Sequence, residues 1–234
     1  MKIIGIIPAR GGSKGLKNKN ILKINQKPLI AWSILEAIKS KVLSKVIVST
    51  DSLKISKIAK KYGAEVPFVR PKKYSNDQSK SSDLIIHALN FFKKKKINFD
   101  YIMLLEPTSP LRDSKDIIRC VKLIKKNKID TLVSVSKIKS QHPRFVYKFI
   151  SRHKIKPYIS KKNLSARRQD IENLYFLDGT IYCSNVETFF KKKTFYHKNT
   201  SAFVVPNWKA IEVDNLLDLK LSEFIMKNKK ILNG

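Results

Sequence analysis

The fold of this chain turns on its opening stretch, Ile3-Ile4-Gly5-Ile6-Ile7-Pro8-Ala9-Arg10-Gly11-Gly12-Ser13-Lys14-Gly15-Leu16-Lys17-Asn18-Lys19-Asn20. A short apolar run without polar alternation reads as a strand buried on both faces. It is too short for a secretory leader or a membrane span. A polar loop with three glycines follows it at once. Glycine lets backbone N–H groups approach a phosphate closely, and Arg10, Lys14 and Lys19 add fixed positive charge. The loop has neither the G-x-x-x-x-G-K-[ST] spacing nor G-x-G-x-x-G.

Beyond the loop, apolar strands alternate with amphipathic segments. Pro28 suits a first helical position, and Leu29, Ile30, Ile34, Leu35 and Ile38 follow with helical spacing. Residues 45–50 read as a strand. Asp51 or Ser52 caps a helix over 53–62, which Gly63 stops. Residues 65–69 read as a short strand, 81–94 as a helix, 101–105 as a strand, 114–126 as a helix and 131–136 as a strand. From 142 to 177 the rhythm breaks into aromatic-rich hairpin-like pieces. It resumes in a strand at 179–183, and a last helix spans 216–227. Buried strands separated by helices predict an α/β fold, a mostly parallel sheet with helices on both faces. Ligands of such sheets bind beyond the carboxyl ends of the strands, so the loops after Pro8, Thr50 and Leu105 carry the functional information.

Two further clusters stand in or near those loops. Leu104-Leu105-Glu106-Pro107-Thr108-Ser109-Pro110-Leu111-Arg112 puts a carboxylate at the end of a buried strand, on a turn stiffened by proline. In Ile211-Glu212-Val213-Asp214 two carboxylates are spaced to share one face of a strand. An oxygen-only pair of this kind suits Mg²⁺, which keeps several waters.

The net charge of +31 raises the question of a polyanion partner. Lysine is scattered over the whole chain, however, and arginine, the preferred base reader, is scarce. This distribution argues for solvated surface charge, with no nucleic-acid partner, and a basic surface still steers anionic substrates inward. With no uncharged apolar stretch of membrane-spanning length, no membrane insertion is expected. Cys120 and Cys183 form no C-x-x-C pair and read as reduced thiols of a cytoplasmic protein. His87, His142, His153 and His197 show no metal-ligand spacing, and no nucleophile–base series can be read.

Together these clusters resemble the acylneuraminate cytidylyltransferase family, which includes CMP-sialic acid synthetases and the legionaminic and pseudaminic acid enzymes. The resemblance lies in Ala9 to Asn20, Val48-Ser49-Thr50-Asp51, Arg70-Pro71, Leu105 to Arg112, Arg168-Gln169 and Asp178-Gly179-Thr180-Ile181-Tyr182. It implies a single Rossmann-like nucleotidyltransferase domain over 1–234, with a small inserted dimerisation lobe at about 142–177 that reaches into the partner's site of a homodimer. It implies CTP, an acidic nine-carbon sugar, Mg²⁺ and release of pyrophosphate. The resemblance puts Ala9, Arg10, Gly12, Ser13, Lys14, Lys19, Asn20, Arg70 and Ser81 on the nucleotide. It puts Glu106, Arg168, Gln169, Tyr182, Phe195 and Tyr196 on the sugar, and Glu212 and Asp214 on the metal. Arg10, Lys14, Lys19 and Asp214 are then the catalytic group. Three positions depart from the pattern: Glu106 stands where many members have Gln, Asp178 where they have Asn, and Glu212 where Asp is commoner. The rival expectations are a cytidylyltransferase for the eight-carbon 3-deoxy-manno-octulosonate and a basic nucleic-acid-binding module.

Overall fold

The computed structural model describes residues 1–12, 15–76, 78–139, 141–159 and 171–232. Ser13, Lys14, Arg168 and Gln169 lie outside the described residues. The chain runs β1 (Ile3–Pro8), β2 (Lys23–Ile24), β3 (Lys27–Pro28), α1 (Leu29–Lys39), β4 (Lys45–Ser49), α2 (Leu53–Lys61), α3 (Ser81–Lys94), β5 (Tyr101–Leu104), α4 (Ser114–Asn127) and β6 (Thr131–Lys137). It continues through β7 (Tyr147–Phe149), β8 (Ile155–Pro157), β9 (Tyr175–Asn185), α5 (Val186–Lys192), β10 (Thr200–Val204), α6 (Leu216–Lys227) and α7 (Lys229–Leu232).

The six-stranded sheet has the order β10-β6-β9-β5-β1-β4. β1 pairs in parallel with β4 and β5, and β10 with β6, while β9 runs antiparallel between β5 and β6. Alternation along the strands supplies two apolar faces. Ile3 and Ile7 meet α1, α2 and α4 on one side, through Ile34, Ala59, Ile117 and Ile124. Ile4 and Ile6 meet α3 and α5 on the other, through Ile85, Ala88, Phe92 and Phe189. Each of the isoleucine and phenylalanine side chains among these contributes about 1.5–3 kcal/mol by leaving water.

Several boundaries differ from the sequence expectation. Pro28 precedes the first turn of α1 rather than starting it. Residues 65–69 make only isolated bridges, Glu65 to Ile47 and Val69 to Thr50. Pro67 lies between them and lacks the N–H a continuous ladder needs. The strand expected at 179–183 extends over all of β9, and α5 and β10 were not anticipated. Within 142–177, β7 and β8 form a separate antiparallel hairpin whose apolar side chains, such as Phe149, Ile155 and Tyr158, face solvent.

One polar group lies deep between sheet and helices. The Arg112 guanidinium is buried. It donates to the Thr180 carbonyl on β9 (2.6 Å), the Ser33 hydroxyl on α1 (2.6 Å) and the Glu106 carbonyl (3.0 Å). Burial lowers its pKa to about 10, against the opposing pull of Glu106, Asp116, Glu36 and Asp178, so it remains charged at neutral pH. Ser109 adds a bond to the Gly179 carbonyl, 3.1 Å. The Pro107–Arg112 turn is thereby fixed to both layers.

Removing a buried hydrogen-bonded cation strands its acceptors, which typically costs about 3 kcal/mol or more. Arg112→Ala is expected to lower unfolding stability by that order in urea denaturation. Arg112→Lys is expected to recover little of it, because one ammonium cannot span acceptors on three elements. Wild-type stability in both variants would show that the turn is held by something else.

Candidate active site

The glycine loop leaves β1 anchored at both ends. The Ala9 N–H donates to the Ser49 carbonyl (2.9 Å), and its methyl group is buried in the core, so Ala9 offers backbone rather than side chain. Asn20 is buried and donates to the Arg10 carbonyl, 3.1 Å. Asp51 does not cap α2, a role taken by Ser52; its carboxylate accepts the Gly11 N–H at 2.9 Å. At Gly15 a Cβ would stand 2.7 Å from the Asp214 carbonyl, so only glycine lets the loop pack on the segment that leads into α6. Gly12 faces open space.

Beside this loop lies a cleft of about 540 Å³, lined by Arg10, Lys19, Asn20, Arg70, Glu106 and Asp214 among others. Arg70 is held by its backbone N–H to the Thr50 carbonyl, 2.8 Å. Its buried guanidinium stands 3.8 Å from Asp51, and its Nε and Nη2 have no hydrogen-bond partner among the described residues. Burial lowers its pKa, with Asp51 opposing. A buried donor pair without an acceptor is costly unless a ligand supplies one. Lys19 pairs with Asp214 at 2.9 Å.

A second cavity, about 400 Å³, opens on the α3–α5 side. Tyr182, Phe195, Tyr196, Lys80 and Lys193 line it. Tyr182 stacks obliquely on Phe195 (5.4 Å between centroids) and meets Tyr196 edge-on (6.2 Å). Phe195 itself is buried against Phe189 and supports the tyrosines. Burial, then the neighbouring Tyr196, raises the Tyr182 pKa, so its phenol is a neutral donor. Among the described lining residues the two cavities share Ser81 and Glu106.

Burial pushes the Glu106 carboxyl up to about 7; Glu212 adds to the rise, and Arg112, Lys19 and Arg70 oppose it. Glu212 and Asp214 do not sit on a strand, since 211–214 is irregular chain outside the sheet. The Val213 N–H donates to the Thr108 carbonyl (2.8 Å) and its side chain is buried with Ile24 and Leu29. The spacing of two still places Glu212 and Asp214 as neighbours. The Glu212 pKa is raised by burial, then by Asp214 and Asp178. Gly179 has a positive φ of 69°, and its missing Cβ leaves the space that the Glu212 carboxylate occupies. No cluster of three or more His, Cys, Asp or Glu suited to a metal is found among the described residues. A cation here would have only the Glu212–Asp214 pair among the described residues, all oxygen donors whose mutual repulsion Lys19 relieves in part, which fits Mg²⁺.

A family model described as cytidylyltransferase matches residues 4–231. The chain belongs to the cytidylyltransferase family. It is 35% identical to post-translational flagellin modification protein B of Campylobacter coli, covering 98% of this chain and 97% of that one. It is 34% identical to the N-acylneuraminate cytidylyltransferase of Escherichia coli O18:K1:H7, over 97% of this chain and 53% of that longer protein. Among solved structures it resembles a CMP:2-keto-3-deoxy-manno-octonic acid synthetase complexed with CTP. The TM-score is 0.72 at 17% identity, over 98% of this chain and 100% of that one, a likeness of fold.

For a cytidylyltransferase, the cleft also contains residues that motif reading did not pick out. Tyr74, Asn76 and Ser79 line it from the loop after Arg70-Pro71, and Lys80 and Lys193 line the second cavity. The only signal for them in the sequence is proximity to Arg70 and Ser81.

A carboxyl whose pKa rises on folding weakens the fold as it ionises. The cost is absent below its unfolded value near 4.5 and complete above about 7. Glu106→Gln is therefore expected to melt higher than wild type at pH 8, by up to about 3 kcal/mol of stability. The gap should close toward pH 4.5 in calorimetry. A gap independent of pH would mean that Glu106 titrates normally.

Proposed function

We propose that the chain transfers CMP from CTP to the anomeric hydroxyl of a nine-carbon acidic sugar, releasing pyrophosphate. The observation that carries this reading is the meeting of a cation-lined cleft and an aromatic, lysine-flanked cavity at Glu106 and Ser81. CTP occupies the first, with Arg10 and Lys19 on the triphosphate and the unpaired donors of Arg70 toward the nucleoside; Ser13 and Lys14 belong to the same loop. Cations fixed around a transferring phosphoryl group stabilise the charge that develops there. The sugar occupies the second, its ring against Tyr182 and Tyr196 and its carboxylate toward lysine. The N-acylneuraminate name of a relative 34% identical favours a nine-carbon acid over the eight-carbon one.

Glu212 and Asp214 are the residues that would hold Mg²⁺. The ion when bound supplies charge neutralisation on the phosphate oxygens. Lys19, bonded to Asp214, keeps that carboxylate turned toward the cleft. The exposed apolar side chains of the 142–177 segment, among them Phe149, Ile150, Ile155 and Tyr158, support a homodimer formed through this lobe. Arg168 and Gln169 are proposed to reach the sugar from it. No helix among the described residues is long and apolar enough to cross a membrane. We place the reaction in the cytoplasm, where CTP is made, in the service of cell-surface glycans.

Pyrophosphate release is expected with CTP, Mg²⁺ and one of a panel of nine-carbon acids. Arg10→Ala should lower kcat/KM by about 10²-fold, and Glu212→Ala with Asp214→Asn should abolish the Mg²⁺ response. Turnover of the eight-carbon acid alone would overturn the substrate assignment. Sedimentation at micromolar concentration should show a dimer that Phe149→Asp with Tyr158→Asp dissociates; an active wild-type monomer would overturn the assembly.

A further inference from the structure

A glycine stands on either side of the Glu212–Asp214 segment. A Cβ at Gly15 would meet the Asp214 carbonyl at 2.7 Å, so the glycine loop fixes where the backbone runs. A Cβ at Gly179 would overlap the Glu212 carboxylate oxygen Oε1 and stand 2.7 Å from Cδ and 3.4 Å from Cγ. The carboxylate therefore rests on the bare Cα of Gly179, in a space that any larger residue would fill. No described residue donates a hydrogen bond to it. The shape beneath it is what sets its place beside Asp214.

That seat is held from several directions. It lies on β9 where the ladder with β6 shifts register between Val133 and Val135. Asp178 accepts from the Ser134 and Ser136 hydroxyls and from the Thr180 N–H. The Gly179 carbonyl accepts from the Ser109 hydroxyl (3.1 Å), and the Thr180 carbonyl from Arg112 (2.6 Å). The Glu212 side is fixed as well, by the Val213 N–H on the Thr108 carbonyl at 2.8 Å. With both backbones tied, the group left to yield to a new Cβ is the Glu212 carboxylate.

We infer that Gly179 is a positioning residue for the metal: its bare Cα seats the Glu212 carboxylate beside Asp214 and makes room for the methylene that Glu has and Asp lacks. The inference rests on the proposed reading of Glu212 and Asp214 as the Mg²⁺ pair. It makes positions 179 and 212 interdependent. With Glu212→Asp the carboxylate carbon falls at the present Cγ, 3.4 Å from an added Cβ, which is an ordinary contact, and its oxygens can turn away. Gly179→Ala is therefore compatible with aspartate at 212 and incompatible with the glutamate that this chain carries. Supports of this kind, one step behind a ligand, govern how well the ligand is aimed.

The test is a double-mutant cycle on Mn²⁺ binding, with wild type, Gly179→Ala, Glu212→Asp and the two together, and with Glu212→Ala alongside. The readout is the enhancement of water-proton relaxation by Mn²⁺ with CTP present and no sugar, so turnover plays no part. Gly179→Ala is expected to raise the Mn²⁺ concentration needed for half the effect by about tenfold or more. Glu212→Asp should bind much as wild type does, and adding Gly179→Ala to it should change binding by no more than about twofold. The φ of 69° strains an alanine whichever residue stands at 212. A backbone effect alone would thus weaken binding equally in both backgrounds; that result, or unchanged binding in Gly179→Ala, overturns the inference. Should Gly179→Ala fail to fold by thermal melting, the double variant must fold and bind, and its failure to do so overturns the inference too. Glu212→Ala tests the reading beneath it: wild-type Mn²⁺ binding there would show that Glu212 holds no metal and would overturn both.

Discussion

A guanidinium buried between helix and sheet needs acceptors, and those that the two terminal nitrogens of Arg112 find organise the rest of the molecule, while its Nε has none among the described residues. Its acceptors lie on α1, on β9 and on the backbone of Glu106. Because a stranded cation is far more costly than a missing surface contact, the turn from Pro107 to Arg112 has essentially one position. That position puts Glu106 at the lip where the two cavities meet, and brings Thr108 within bonding distance of Val213. The orientation of the Glu212–Asp214 segment then follows. Arg112, which the motif reading treated as part of a nucleotidyltransferase signature, works as a strut: it lines neither cavity.

Charge in the site is balanced locally, against the background of a strongly basic chain. Arg10, Lys19 and Arg70 line one cleft with the carboxylates of Glu106 and Asp214, and Asp51 stands behind Arg70, yet the pairing is incomplete. Arg70 has donors without acceptors, while Glu106 and Glu212 hold raised pKa values. Under the proposed function, a triphosphate with its cation would satisfy these groups, the anion meeting the arginines and the cation the carboxylates. A second charged knot serves only structure. Lys209 is buried against Asp113 and Asp116 (2.6 Å each) and ties the segment after β10 to the capping box of α4.

The irregularity of β6 has a similar local cause. A register shift between Val133 and Val135 interrupts its ladder with β9. Ser134 fills the gap, accepting the Ile181 N–H and donating to buried Asp178, which also accepts from Ser136 and from the Thr180 N–H. The family departure at Asp178 thus falls on a group that shapes β9 just where Gly179 makes room for Glu212. The structure gives it a scaffolding role one step away from the site.

What the sequence determined by itself was whatever depends on local chemistry. Apolar period and capping residues located α1, α2, α3, α4 and α6 to within a residue or so, together with the buried strands. The glycines of the first loop, with the Pro-Thr-Ser-Pro-Leu-Arg turn, marked the family. These signals are legible because strand burial, helix capping and left-handed backbone are decided by neighbours a few residues away. The antiparallel course of β9, the edge strand β10, the cleft-lining Tyr74, Asn76 and Ser79, and the burial of Arg112 and Lys209 were decided by tertiary structure alone. Each depends on contacts between segments tens of residues apart, and no local pattern encodes which partner will arrive. The same holds for the chemistry of Glu106. Its identity was plain in the sequence, but its raised pKa and its place between two cavities come from burial, from Glu212 and from Arg112, which only the folded chain brings together.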